Sequence, residues 1–199
     1  MLGWHGVANV AIAKRKRRQK LLFDPKHFSK LSNENHRCTS DPVEEQNCIA
    51  YAAGDEIHYW WPPGDDFPGG LPAPYFWPRS CPPDETIESF VCAYALLGFE
   101  ECDKSEDGRL EDKVEKLALF AKWTMKDGKK VLEPTHAAIQ SPSRNGKWRS
   151  KMGEDEDIEH DSLTDVAGKL YGDPILFLKR TMEAKKEAVK LLKKRLPSY

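Results

Sequence analysis

Asn47-Cys48-Ile49-Ala50-Tyr51-Ala52-Ala53-Gly54 is the stretch from which the fold can be read. No glycine or proline interrupts Cys48 to Ala53, so the segment reads as a short helix. Asn47 suits the N-cap, because its side chain can accept from the first free N–H groups. Gly54 suits the left-handed residue that closes a helix. Cys48 therefore opens a helix, where the backbone dipoles favour a thiolate.

Downstream, Trp60 and Trp61 precede a run from Pro62 to Pro83 with eight prolines and three glycines. Such a run excludes a regular helix or a central strand and reads as a long ordered loop. Tyr75, Phe76 and Trp77 either pin it to the core or offer a binding surface. A second helix follows Pro82-Pro83, with Ile87, Phe90, Val91, Tyr94 and Leu97 at helical spacing and Gly98 as its stop. Phe99 to Cys102 reads as a short strand and Leu117-Ala118-Leu119-Phe120-Ala121 as a buried one. Asp127-Gly128 marks a hairpin. Thr135–Gln140 and Lys147–Lys151 read as strands around a turn at Ser141–Gly146. Ser162–Leu170 reads as a short helix and Ile175–Leu178 as a last core strand. The order is helix, loop, helix, then mostly antiparallel strands, which is α+β rather than alternating α/β.

The chain has 199 residues, 39% of them hydrophobic, which is enough for one domain with a core. Its net charge of -1 gives no global signal for nucleic acid or a membrane surface. The distribution is uneven. Lys14 to Lys20 form a basic run, and Thr181 to Leu196 read as a basic amphipathic helix. Residues 1–45 read as a basic and then polar arm, 46–180 as the domain, and 181–199 as the basic helix outside it. The arm suits weak polyanion contact or nuclear targeting. No apolar run approaches the ~20 residues of a membrane span. The five cysteines are odd in number and contain no CxxC pair, so they read as reduced thiols. That implies an intracellular and cytoplasmic protein, or a nuclear one in a eukaryotic host.

An imidazole adjacent to a thiol lowers its pKa and makes a nucleophilic pair. His136 opens a strand in Pro134-Thr135-His136-Ala137-Ala138, beside small residues that allow close approach. The pair Cys48–His136 is thus the candidate catalytic centre, acting on an amide or thioester. The imidazole needs a third group to orient it. Ser150 is placed for this by the hairpin, whereas Asp157 and His160 are chemically better, and Asp157 is the choice. The Cys48 N–H and the Asn47 side chain are the candidate oxyanion donors. Trp60, Trp61, Trp77 and Trp148, with Ser150 and His160, are the candidate substrate-binding residues. Against this, a free cysteine more often packs as a small hydrophobe. A zinc site from His36, Cys38, Cys48 and Cys81 matches no usual ligand spacing, so neither metal nor cofactor is expected.

An ordered set of motifs runs through the chain. It comprises Asn47-Cys48-Ile49-Ala50-Tyr51-Ala52, Trp60-Trp61-Pro62, Phe76-Trp77-Pro78 and Pro134-Thr135-His136-Ala137-Ala138. Glu88-Ser89-Phe90, Gly98-Phe99-Glu100, Lys116-Leu117-Ala118-Leu119-Phe120, Gly146-Lys147-Trp148-Arg149-Ser150-Lys151-Met152-Gly153, Asp157-Ile158-Glu159-His160 and Tyr171-Gly172 complete it. The set resembles an uncharacterised family, a domain of unknown function, over roughly residues 46–180. More loosely, a cysteine helix followed by a histidine strand is similar to NlpC/P60 and other papain-like cysteine hydrolases. That likeness implies a cysteine helix packed on a mostly antiparallel sheet that carries the histidine. The strand Trp148-Arg149-Ser150-Lys151 departs from it, since papain-like sites place an Asn, Asp, His or Gln there. The alternative to a hydrolase or acyl-transferase is a non-catalytic binding module using the aromatic, proline-rich loop at 60–83.

Overall fold

A computed structural model describes residues 26–44, 46–64, 75–102 and 108–195; the basic run Lys14 to Lys20 lies outside them. The chain is α+β. One antiparallel seven-stranded sheet carries the architecture, in the order β1-β8-β7-β6-β5-β9-β4. Its strands are β1 (His36–Cys38), β4 (Glu100–Glu101), β5 (Val114–Lys126), β6 (Lys129–Gln140), β7 (Trp148–Lys151), β8 (Asp157–His160) and β9 (Asp173–Thr181). β2 (Tyr59–Trp60) and β3 (Tyr75–Phe76) form a small parallel ribbon. The helices are α1 (Cys48–Ala53), α2 (Ile87–Ala95), α3 (Leu163–Val166) and α4 (Met182–Arg195).

The sheet is buried on both faces because β5 and β6 carry small or apolar residues on both. Leu117, Leu119, Ala137, Ile139 and Leu178 face a core built with α1, α2 and α4. Ala118, Phe120, Ala138, Trp148 and Ile158 face a second core with Phe28, Leu31, Met152, Val166 and Tyr171. Successive side chains on a strand point to opposite faces, so neighbours on β6 belong to different cores. Ala137 therefore joins the α1 side, and His136 and Ala138 the other.

α1 forms as expected. Asn47 Oδ1 accepts from Ala50 N at 2.9 Å, and Gly54 closes the helix at φ 82°. β8 and β1 are strands that the pattern of residues does not announce. From residue 26 on, the expected arm belongs to the domain: Phe28 and Leu31 are buried, and β1 pairs with β8. The basic helix also docks. Ala188 is buried in the first core, and Leu192 packs against it. Lys185 reaches Glu115 at 2.5 Å, and Glu115 holds Arg180 at 2.7 Å, all three tying α4 to β5 and β9. Among the described residues, no helix is long and apolar enough to cross a membrane.

Cys81 and Cys92 are joined by a disulfide with Cα atoms 5.7 Å apart, which corrects the expectation of five reduced thiols. The bond staples the end of the proline-rich segment to α2. Spacing alone did not reveal it, because Cys92 reads as one more small residue on a buried helix.

Candidate functional site

The structure does not bring Cys48 and His136 together. The sulfur lies in the α1 core with the backbone N–H groups of Ala137, Cys48 and Ile49 around it. Burial outweighs those donors and pushes the thiol up to about 11. His136 leaves the sheet on the opposite face. It stacks on Tyr171, ring centroids 4.0 Å apart, and meets the edge of Phe120.

His136 is instead one end of a buried string. Its Nε2 lies 2.9 Å from Ser150 Oγ, which lies 3.0 Å from His160 Nε2. His160 Nδ1 lies 2.8 Å from Ser162 O. Burial lowers both imidazoles, His136 to about 3, so both are neutral near pH 7. Neutral rings give the string one direction. The carbonyl of Ser162 only accepts, so His160 donates from Nδ1 and accepts from the Ser150 hydroxyl at Nε2. Ser150 Oγ then accepts from His136 Nε2, and the buried His136 Nδ1 keeps a lone pair with no protein partner. Ser150 and His160 thus join His136, as two of the three residues considered for its orientation, on the face away from the thiol.

The third, Asp157, goes to the thiol's side of the sheet. Cross-strand pairing places Arg149, Glu159 and Arg37 in one row and Lys151 and Asp157 in the next. Arg37 is committed to Glu159, with NH2 2.9 Å from Oε1. Lys151 is buried and donates to Asp155 O. Beyond these rows a cleft of about 430 Å³ opens, lined by Arg37, Cys38, Thr39, Tyr51, Arg144, Arg149 and Asp157. Arg149 lies over the Tyr51 ring, 5.8 Å from its centroid. Its Nε and Asp157 Oδ1 are each buried, with no hydrogen-bond partner among the described residues. Burial raises the Asp157 carboxyl above its usual range, while Lys151, a hydrogen bond from the Ser40 side chain and Arg149 oppose the rise.

The remaining predicted residues are mostly structural. The Asn47 side chain is spent on the cap and on Trp60, donating to its carbonyl at 2.7 Å. Trp60 and Trp77 are buried, donating to Asp55 and to Pro82 O at 2.9 Å each. Trp148 is buried in the second core. Trp61 is half-buried, donates to Glu85 at 2.8 Å, and borders a separate cleft with Thr135, Met152 and Tyr171. The zinc alternative loses Cys81 to its disulfide. Sequence reasoning missed Arg37, Arg144, Arg149 and Tyr51. One signal was present: Arg149 and Lys151 alternate on a strand, so both must leave one face of the sheet.

The family model of a domain of unknown function, DUF7689, matches residues 37–179. The chain belongs to this family. The DUF7689 match begins at Arg37, inside β1, and so takes in the whole arginine cleft and the buried histidine string. No curated protein and no solved structure matches the chain.

Proposed function

We propose that this DUF7689 domain is a non-catalytic binding module for a small anionic molecule held in the Arg37–Arg144–Arg149 cleft. The observation that carries the reading is the cleft lined by Arg37, Arg144 and Arg149, in which the Arg149 guanidinium lies over the Tyr51 ring. Arginine presents a planar fork that matches phosphate and carboxylate oxygens. Arg144 stands beside it, exposed at the turn after β6. The Tyr51 ring supplies an apolar wall.

The binding-module reading first attached to the aromatic loop has less support, since Trp60 and Trp77 are core residues. The papain-like hydrolase reading would need the Cys48 thiol ionised beside an imidazole. The thiol is buried and high in pKa, and His136 faces away from it. Acyl transfer through Cys48–His136 would therefore require a rearrangement of β6.

Titration of inorganic phosphate into the folded protein by calorimetry tests the binding reading. Saturable binding that weakens with added salt and at least tenfold in Arg149→Met is expected. Equal heats for the wild type and that variant would remove its basis. Full retention of any measured turnover by Cys48→Ala would likewise dispose of the hydrolase reading.

A further inference from the structure

The cleft that Trp61 borders has the opposite charge from the arginine cleft. It encloses about 520 Å³, and Trp61, Met152 and Tyr171 supply apolar lining. Glu44, Glu133, Glu154 and Asp155 also line it. Glu44 and Glu154 are exposed, and Glu133, Asp155 and Trp61 are half-buried, so carboxylates and ring are open to an occupant. Lys122 lies in the lining, and the buried Lys151 donates to the Asp155 carbonyl behind it. Four carboxylates thus face two ammonium groups. Among the described residues no group of three or more His, Cys, Asp or Glu could hold a metal ion. The carboxylates are spread as for a row of cations, and Trp61 adds a ring on which a guanidinium can stack.

The chain itself carries such a row. Lys14, Arg15, Lys16, Arg17, Arg18 and Lys20 precede Lys26, where the described residues begin. That starting point is at the cleft. Phe28 is buried against Tyr171, ring centroids 5.4 Å apart, and shares the second core with Met152. Tyr171 and Met152 are both cleft residues. A chain spans at most ~3.5 Å per residue, so Lys20 is within roughly 20 Å of Lys26 and Lys14 within roughly 40 Å. So short a tether holds the run near the cleft at about millimolar effective concentration. Residues 65–74 follow Trp61 in the chain but bring Asp65 and Asp66 and no basic residue, the wrong sign for this cleft.

We infer that the cleft is the docking surface for the basic run Lys14–Lys20 of the same chain. The ammonium and guanidinium groups of the run meet Glu44, Glu133, Glu154 and Asp155, and an arginine of the run stacks on Trp61. While docked, the run is withheld from polyanions.

Carbodiimide cross-linking of the whole chain, as an equal mixture of unlabelled and nitrogen-15-labelled protein, reads the contact by mass spectrometry. Amide links from Lys14, Lys16 or Lys20 to the four cleft carboxylates are expected, within one isotope label, and they should vanish at high salt. Links only between differently labelled chains would assign the cleft to a second copy and overturn the proposal. So would the absence of any link to those carboxylates. A fluorescein-labelled peptide of residues 13–21 provides the second measurement. It should bind at least tenfold more tightly to a chain in which all six basic residues of the run are replaced by Gln than to the wild type, whose cleft is filled. Adding Glu44→Gln and Glu154→Gln, both exposed, should abolish that gain. Adding Glu183→Gln and Glu187→Gln, an equal charge change on exposed residues of α4, should preserve it. Equal binding to the neutralised chain and the wild type, or equal loss from both carboxylate pairs, overturns the proposal.

Discussion

The two faces of the sheet hold two polar groups of opposite character. On one face His136, Ser150 and His160 form a string whose members satisfy one another, with His136 Nδ1 as its one loose end. On the other face Arg149 Nε and Asp157 Oδ1 are buried with no hydrogen-bond partner among the described residues, and the two residues line a cleft. Both groups arise from the same strands, β7 and β8, by simple alternation. Ser150 faces one way, and Arg149 and Lys151 the other. The closed group orders the core, whereas the open one lies beside a cleft.

The sharpest way to break the comparison is acid. Unfolded histidine binds a proton near pH 6.5, but native His136 does so only near pH 3. Below pH 6.5 the unfolded state therefore takes up a proton that the native state refuses, and stability falls as pH drops. The loss should approach roughly 4 kcal/mol by pH 3, with His160 adding to it. Urea midpoints measured from pH 7 to pH 4 check this, and a flat profile would mean that the string is open to solvent. Ser150→Ala comes next. It deprives both imidazoles of their shared partner and should cost about 2–4 kcal/mol in denaturant unfolding, with phosphate binding unchanged in the folded protein.

Cys48→Ala should cost about 1 kcal/mol, the price of a small buried side chain. The same burial should keep native Cys48 unlabelled by iodoacetamide at pH 8, and mass spectrometry of the digested protein locates the label. Rapid native alkylation at Cys48 would place the thiol at a surface and reopen the nucleophile reading. The smallest effect on stability belongs to Arg144→Gln, within about 0.5 kcal/mol for an exposed side chain. Its phosphate affinity should nevertheless fall severalfold, so stability and binding separate at this residue.

Much of the frame was legible before any coordinates. Asn47 and Gly54 bracket α1 with cap chemistry, Asp127-Gly128 turns the central hairpin, and Leu117 to Ala121 announce a buried strand. β8 was not legible, because Asp157-Ile158-Glu159-His160 offers one apolar residue among four. Its polar residues are buried by serving the string on one face and the arginine rows on the other. β1 is three residues long and too short for a period. The candidate site depended on a finer matter, which face His136 takes. A step of one residue along a strand reverses the side of the sheet. Thr135, His136, Ala137 and Ala138 are each compatible with burial, so composition cannot choose between His136 and Ala137 as the neighbour of Cys48. The register shift between Phe120 and Ala121 further uncouples the outer hairpin from the inner one. The disulfide was hidden by an odd count and by the proline-rich segment that holds Cys81.

The edge strand β1 carries a kinetic consequence. Arg37 meets Glu159 across 122 positions of the chain, and His36 and Cys38 find His160 and Ile158 over similar spans. Contacts so distant in the chain form late, since their loop must close before the pairing rewards it. The hairpin of β5 and β6 has no such delay. Arg37, Cys38 and Thr39 are therefore expected to be the last wall of the cleft to arrive during folding, and a ligand that needed that wall would be taken up by the finished chain and not by the first collapsed form.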